Sequence, residues 1–322
     1  MKILVIQNRM GIGDMIMFLP FVKAISNYYG EQVSLMVKKS TKASEYLNEE
    51  KYIKEIIYLE RSNIENRHAG VKGFFNLIKD FKEKKFDKVF IFNSSLRFYM
   101  AAKISGIKDI NCYNLLRKKN QHIIETAKKF ISDTLKIDVV ENPTINLKPD
   151  SVAQAKKNYS ISNNETNIIL GTGGSGKTKR VPSKIFIEVM KNTLKKGQCK
   201  FFIATGNAKE EIEILNQITE TDLKEFCIPL NNLNISKIIP IMKNCNVAIC
   251  NDSSFSHLSA ALNIPTIVLM ADTPLVYGSY NSLMHPILPE GMNTVSHDTL
   301  GKDKINPVEI QKKLEEILSN AS

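Results

Sequence analysis

Short apolar runs closed by polar turns alternate with stretches whose apolar residues recur every three or four positions. Residues 2–7, 33–37, 55–59 and 88–92 read as strands, several of them unbroken enough to be buried on both faces. Between them, 14–29, 40–47 and 73–84 carry helical periodicity. The alternation restarts further on, with strands at 167–171, 200–205, 247–251 and 266–270 and helices at 183–196, 209–219, 235–244 and 254–262. Strand–helix–strand order implies parallel sheets flanked by helices. The expected fold class is α/β, two Rossmann-like domains in tandem, 1–150 and 151–322, joined through a linker at 141–150 that holds Pro143 and Pro149. A last helix, 306–319, with Pro307 near its first turn, is available to pack back on the first domain. Sheets of this kind bind ligands outside the carboxyl ends of their strands. Chemistry is therefore sought after Gln7, Gly171, Thr205 and Asn251.

Composition narrows the partners. With 43% hydrophobic and 24% charged residues the chain of 322 is ordinary globular material. No apolar run approaches the roughly 18 residues of a membrane span, and residues 1–6 form a short strand rather than a signal peptide. Five cysteines without a C-x-x-C pair read as reduced thiols, so a cytoplasmic location is expected. The formal charge is +11, yet 38 of the 44 basic residues are Lys and only six are Arg. Without Arg clusters or a recognisable module, nucleic acid is not an expected partner. The charge is uneven: residues 1–150 hold 26 basic and 17 acidic side chains, residues 151–322 hold 18 and 16. A large anionic partner is expected on the first half, where Lys38, Lys39, Lys82, Lys84, Lys85, Arg117, Lys118, Lys119, Lys128 and Lys129 stand, although most could simply be solvated lysines.

Four loops carry the candidate chemistry. In the first, Gly11 and Gly13 allow a sharp turn, and Asp14 opens a helix; on position alone Asp14 reads as an N-cap. The second, 171–178, satisfies the P-loop pattern G-x-x-x-x-G-K-T after a strand. A P-loop needs a helix starting at its Gly-Lys-Thr, and Pro182 argues against one. The competing reading is an anion loop with Lys179 or Arg180 pointing in and a helix beginning at Pro182. The third loop places Glu210 at a helix start, equally readable as an exposed residue facing the dipole. The fourth delivers Asp252, Ser253 and Ser254 to the N-terminus of a helix, a seat for a pyrophosphate. His257, one turn in, reads by default as a satisfied core residue. No metal-ligand spacing and no nucleophile elbow is present.

Taken together the loops resemble glycosyltransferase family 9, the ADP-heptose:lipopolysaccharide heptosyltransferases. The carriers are Gly13-Asp14 running to Leu19-Pro20, then Gly173-x-Ser175-x-x-x-Lys179-x-Val181-Pro182, then Asp252-Ser253-Ser254-x-x-His257-Leu258-x-Ala260-Ala261-Leu262. Val181 stands where the family has Trp, and Ser254 where it has Gly. The family's next motif is reduced to Ala271-Asp272-Thr273-Pro274. The resemblance implies a GT-B fold whose two sheets face each other across a cleft, and an inverting enzyme that takes a heptose or related sugar from an ADP-sugar. It implies an anionic lipid-linked or core-oligosaccharide acceptor, at the cytoplasmic face of the inner membrane, with peripheral membrane contact. By the same likeness Asp14 is the general base, with Arg9 and Gly13 on the acceptor side. Gly173, Gly174, Ser175, Lys179, Glu210, Leu233, Asp252, Ser253, Ser254 and His257 form the donor side, with no cofactor and no metal. The alternative is a P-loop NTPase built on 171–178.

Overall fold

Strand β1 (Ile3–Gln7) is buried along its whole length, as an apolar run at the middle of a parallel sheet should be. It leads into α1 (Ile12–Tyr29), whose stretch from Met15 to Val22 is buried on every side. The first unit, Met1–Pro143, continues with β2 (Val33–Lys38), β3 (Ile53–Leu59), α2 (Gly70–Lys84), β4 (Lys88–Ile91), α3 (Leu96–Ser105), β5 (Asp109–Cys112) and α4 (Ile123–Leu135). Its sheet is wholly parallel, in the order β3-β2-β1-β4-β5. Strand order reverses between β1 and β4, so the loops after these two strands flank the switch point. The computed structural model describes residues 1–61, 63, 65–115, 123–140 and 142–320. Arg117, Lys118, Lys119 and the linker residue Glu141 lie outside the described residues.

The second unit, Thr144–Ser322, contains α5 (Pro149–Asn158), β6 (Thr166–Gly171), α6 (Ser183–Leu194), β7 (Cys199–Ala204), α7 (Lys209–Thr219), β8 (Cys227–Pro229), α8 (Ile235–Met242), β9 (Val247–Asn251), α9 (Ser254–Ala261), β10 (Thr266–Leu269), β11 (Met284–Ile287) and α10 (Pro307–Asn320). Its parallel sheet runs β11-β10-β9-β6-β7-β8, with the switch point between β6 and β9. Both units are thus Rossmann-like, as the alternation implies. Among the described residues no helix is long and apolar enough to cross a membrane.

Several expectations change. The division falls at Pro143/Thr144 rather than at 150, because the Ile145 N–H already bonds the Ala261 carbonyl of the second unit at 2.9 Å. The final helix places Ile310, Leu314 and Ile317 in the second unit's core beside Phe186 and Val189. Residues 40–47 are not one helix but two 3-10 turns, Lys39–Thr41 and Ala43–Glu45. Lys42 breaks them with a left-handed φ of 50°, and the Thr41 hydroxyl donates back to the Lys38 carbonyl, competing with a helical ladder.

Helix α2 shows how tightly the first unit is assembled. A Cβ on Gly73 would lie 2.2 Å from the His68 carbonyl carbon, which is backbone and has little room to yield. Gly73→Ala is expected to destabilise the first unit by about 3 kcal/mol, the upper end of overpacking costs, seen as a thermal transition lowered by about 10 °C.

Candidate active site

At the second unit's switch point, Asn251 ends β9 fully buried and holds the neighbouring loop. Its Nδ2 donates to the carbonyls of Thr172 (2.8 Å) and Gly173 (3.3 Å), and its Oδ1 accepts the Val181 N–H (3.3 Å). The loop between β6 and α6 is therefore pinned at both ends. Glu211 pins its middle: Oε1 accepts the Gly174 N–H at 3.0 Å while Oε2 accepts the Ala208 N–H at the start of α7. A Cβ on Gly173 would stand 2.6 Å from Glu211 Oε1 and one on Gly206 2.2 Å from Oε2, so both glycines make room for this buried carboxylate. Arg180 donates from Nε to the Gly174 carbonyl (3.0 Å) and faces exposed Glu210 at 3.6 Å.

The P-loop alternative does not survive this geometry. Residues 177–179 form a turn, with the Lys179 N–H on the Gly176 carbonyl at 3.1 Å, and Lys177 is exposed. The helix starts at Ser183, so no helix N-terminus stands behind 176–178 to hold phosphates. Pro182 is the residue before that helix rather than its first member, a shift of one position from the expectation.

Lys179 instead delivers its ammonium to Asp252, Nζ to Oδ2 at 3.0 Å, with Asp252 only 4% exposed. The other oxygen, Oδ1, faces His257 Nε2 at 3.8 Å. His257 Nδ1 lies 2.9 Å from the Tyr280 hydroxyl, and the two rings stack at 5.5 Å. Burial, and then the charge of Asp252, push the Tyr280 hydroxyl well above its ordinary range, so it stays protonated. A carboxylate can only accept, so the consistent pattern has Tyr280 donating to Nδ1 and Nε2–H turned toward Asp252. His257 is thereby buried between Asp252 and Tyr280, as its default reading as a satisfied core residue has it.

The remaining expected donor residues fall into place unevenly. Ser175 is exposed at the loop's tip. The Gly174 N–H bonds Glu211 at 3.0 Å and the Ser253 N–H the Ser256 hydroxyl at 3.4 Å. Ser254 is the first residue of α9 and half-buried. Leu233 closes a turn with its N–H on the Leu230 carbonyl (3.0 Å). Asp272, just past β10, receives the Leu300 N–H at 2.8 Å. Burial opposes its ionisation, but that bond, with others from Thr178 and Thr299, holds the carboxyl below the usual range. It thereby ties the 178 turn to the 299–300 loop. Four hydroxyls, of Thr172, Thr205, Ser253 and Thr273, are buried without a hydrogen-bond partner among the described residues. All four follow the carboxyl ends of strands β6, β7, β9 and β10. Unpaired buried polar atoms concentrated on one sheet edge mark a site built for a polar ligand.

In the first unit Asp14 is the third residue of α1, not its N-cap, which is Gly11. Its Oδ2 accepts the Gly11 N–H and its Oδ1 the Arg9 guanidinium, each at 3.3 Å. Arg9 is exposed and Asp14 half-buried; Gly13 is buried in the first helical turn and offers an acceptor little surface. Sequence reasoning missed three neighbours. Gln7 Nε2, both polar atoms of the Asn93 amide and the Tyr113 hydroxyl are buried without partners among the described residues. Gln7 ends β1 and Tyr113 follows β5, its ring edge-on to that of Phe92 at 6.0 Å, and Arg9 is close enough to Tyr113 to oppose the rise that burial imposes on its hydroxyl. The available signal was a polar side chain at the end of each buried strand run. Of the basic residues expected to face an anionic partner, Lys84 pairs with Glu55 at 2.5 Å and Lys128 with Glu125 at 3.4 Å. Lys39, Lys82, Lys85 and Lys129 are exposed. Among the described residues no group of three or more His, Cys, Asp or Glu comes together as a metal site would require.

Comparison with known proteins follows the same lines. The chain is 35% identical over 75 residues to lipooligosaccharide heptosyltransferase 2 of Haemophilus influenzae, a match spanning 22% of this chain and 22% of that protein. Over its full length it superposes on the Escherichia coli ADP-heptose lipopolysaccharide heptosyltransferase II with a TM-score of 0.76 at 19% identity, covering 100% of this chain and 99% of that one. A family 9 glycosyltransferase from Veillonella parvula superposes with a TM-score of 0.82 at 18% identity, covering 99% and 97%. These superpositions show the fold, two Rossmann-like domains of the GT-B class. The sequence profile of glycosyltransferase family 9 (heptosyltransferase) matches residues 100–290, more than half of the chain. The chain belongs to glycosyltransferase family 9.

Proposed function

We propose that this protein transfers a heptose, or a closely related sugar, from an ADP-sugar to an anionic, lipid-linked core-oligosaccharide acceptor. The observation that carries the reading is the Lys179–Asp252 pair at the switch point of the second sheet, held there by Asn251. An ammonium fixed beside a helix N-terminus meets the charge that develops as a nucleoside diphosphate leaves. Asp252, with His257 and Tyr280 behind it, keeps that ammonium in place. The unpaired hydroxyls of Thr172, Thr205, Ser253 and Thr273 supply polar partners on the same sheet edge. Glu210 meets the ribose from its exposed position, and Leu233 meets the adenine through its carbonyl.

On the acceptor side the first unit supplies the base. The acceptor hydroxyl oxygen attacks the anomeric carbon as the bond to the ADP oxygen breaks, and the hydroxyl proton passes to the Asp14 carboxylate. The anomeric centre inverts in this single displacement. Arg9 orients Asp14 and faces the acceptor's negative groups, and Gln7, Asn93 and Tyr113 offer unpaired polar atoms to its hydroxyls. Lys179 serves where other transferases use a divalent cation, so the reaction proceeds without metal. The enzyme works at the cytoplasmic face of the inner membrane.

A donor screen tests the reading. ADP-heptose is compared with other nucleotide-sugars in the presence of a lipopolysaccharide-core acceptor, and nucleotide release is recorded. Release is expected with the ADP-sugar and to depend on the acceptor. Release from a uridine or guanosine donor instead, or acceptor-independent ATP hydrolysis, would contradict it.

A further inference from the structure

Five large apolar side chains stand exposed on two neighbouring helices of the first unit. Val71 and Phe75 belong to α2 and Leu96, Met100 and Ile104 to α3, with exposures between 37% and 76%. The inner faces of both helices share one core, Leu77, Ile78 and Phe81 of α2 packing with Phe98, Ala101 and Ala102 of α3. The exposed residues therefore point away from the same side of the sheet. The spacing is regular: 96, 100 and 104 fall within about 80° of the helix circumference. On α2, residues 71, 75, 79, 82 and 72 fall within about 100°. Arg97 joins the helices at their N-termini, donating to the His68 carbonyl (2.9 Å) and the Gly70 carbonyl (2.8 Å) while its guanidinium lies over the Phe74 ring. The two stripes thus run side by side.

The polar residues among these stripes are of one sign. Lys72, Lys79, Lys82 and Lys103 are all exposed on the same faces, and α3 contains no acidic residue. Of the acids on α2, Asp80 is held by Arg67 and by His68 at 2.8 Å, and Glu83 sits 3.7 Å from Lys79. Aliphatic and aromatic groups ringed by lysine ammonium groups match the chemistry of an anionic bilayer surface, with an apolar layer beneath a negatively charged one. A protein partner would favour Arg over Lys at such a patch.

We infer that the outer face of α2 and α3 docks on anionic phospholipid. Val71, Phe75, Leu96, Met100 and Ile104 enter the boundary between headgroups and acyl chains, and the four lysines meet lipid phosphates. This deepens the lipid-linked acceptor reading above and rests on it for its purpose: the docked face would hold the first unit at the membrane where such an acceptor resides. The docking itself is read without any transfer assay.

The test is co-sedimentation of the full chain with vesicles of phosphatidylglycerol and phosphatidylethanolamine, against vesicles of phosphatidylcholine alone. Binding is expected on the anionic vesicles, weakened by salt. The double variant Phe75→Ser/Leu96→Ser should lower the partition coefficient about tenfold. The triple variant Lys72→Glu/Lys79→Glu/Lys103→Glu should lose the preference for anionic lipid. Both sets lie on the surface, so thermal transitions near that of the parent confirm folding, and turnover of a soluble acceptor should persist. No binding to anionic vesicles, or variants that bind as the parent does, overturns the inference. So does a dimer that the serine variant converts to monomer while vesicle binding is unchanged. Vesicle binding without sugar transfer would instead remove the proposed function and leave the docking face standing.

Discussion

Asp14→Asn should leave binding of the ADP-sugar within about twofold of the parent and lower the transfer rate by about 10²–10⁴-fold, the range for loss of a general base. Asparagine is isosteric, and its amide oxygen can still accept either the Gly11 N–H or the Arg9 guanidinium that the carboxylate now holds at 3.3 Å. The start of α1 is therefore kept and the melting temperature changes little. What disappears is the only group in that turn able to take a proton. Steady-state transfer and donor titration on the same preparation separate the two effects. Transfer at the parent rate would reduce Asp14 to a partner for the helix's first turn.

Lys179→Ala should lower kcat for transfer by about 10²–10³-fold, the usual effect of removing one preorganised group that stabilises a leaving charge. The substitution also strands Asp252, a carboxylate only 4% exposed whose near cation is Lys179. A stability loss of about 2 kcal/mol is expected from that alone. The two consequences are separable. Adding Asp252→Asn removes the uncompensated charge, so the double variant should recover much of the stability while transfer stays low. If the double variant recovered both, Lys179 would matter only as the counter-ion of Asp252.

The sequence exposed those parts of the fold whose periodicity is simple. β9 and α7 agree to the residue, and most other strands to within one or two, because they are continuous apolar runs or clean amphipathic helices. Helix α3 was not legible: its exposed Leu96, Met100 and Ile104 erase the polar face on which a periodicity reading depends. The same feature that hides the helix is the one that suggests a membrane surface. Strands β8 and β11 are short sheet edges that contain Pro229 and Pro286, residues that argue against a strand when read alone.

In the site, neighbours in sequence exchanged roles. Glu210 and Glu211 are equivalent as sequence, yet only the third residue of α7 can reach back to the Ala208 N–H, which puts Glu211 inside and Glu210 outside. Asn251 ends a buried strand and could have been singled out as a polar residue in an apolar run. Tyr280 has no local signal, because its bond to His257 joins residues 23 apart. The P-loop pattern at 171–178 is a coincidence of composition: glycines needed to accommodate Glu211 and Cys250 stand beside an exposed Lys177.

In the proposed function the second unit holds a nucleoside diphosphate through Lys179 and the carboxyl ends of its strands, with no divalent cation as intermediary. Calorimetric titration of the proposed ADP-sugar into the protein in EDTA, repeated with magnesium and with Lys179→Ala, measures this most directly. Equal affinity in EDTA and in magnesium is expected, with clearly weaker binding by the alanine variant. Binding that appears only with magnesium, or that is indifferent to residue 179, would contradict it.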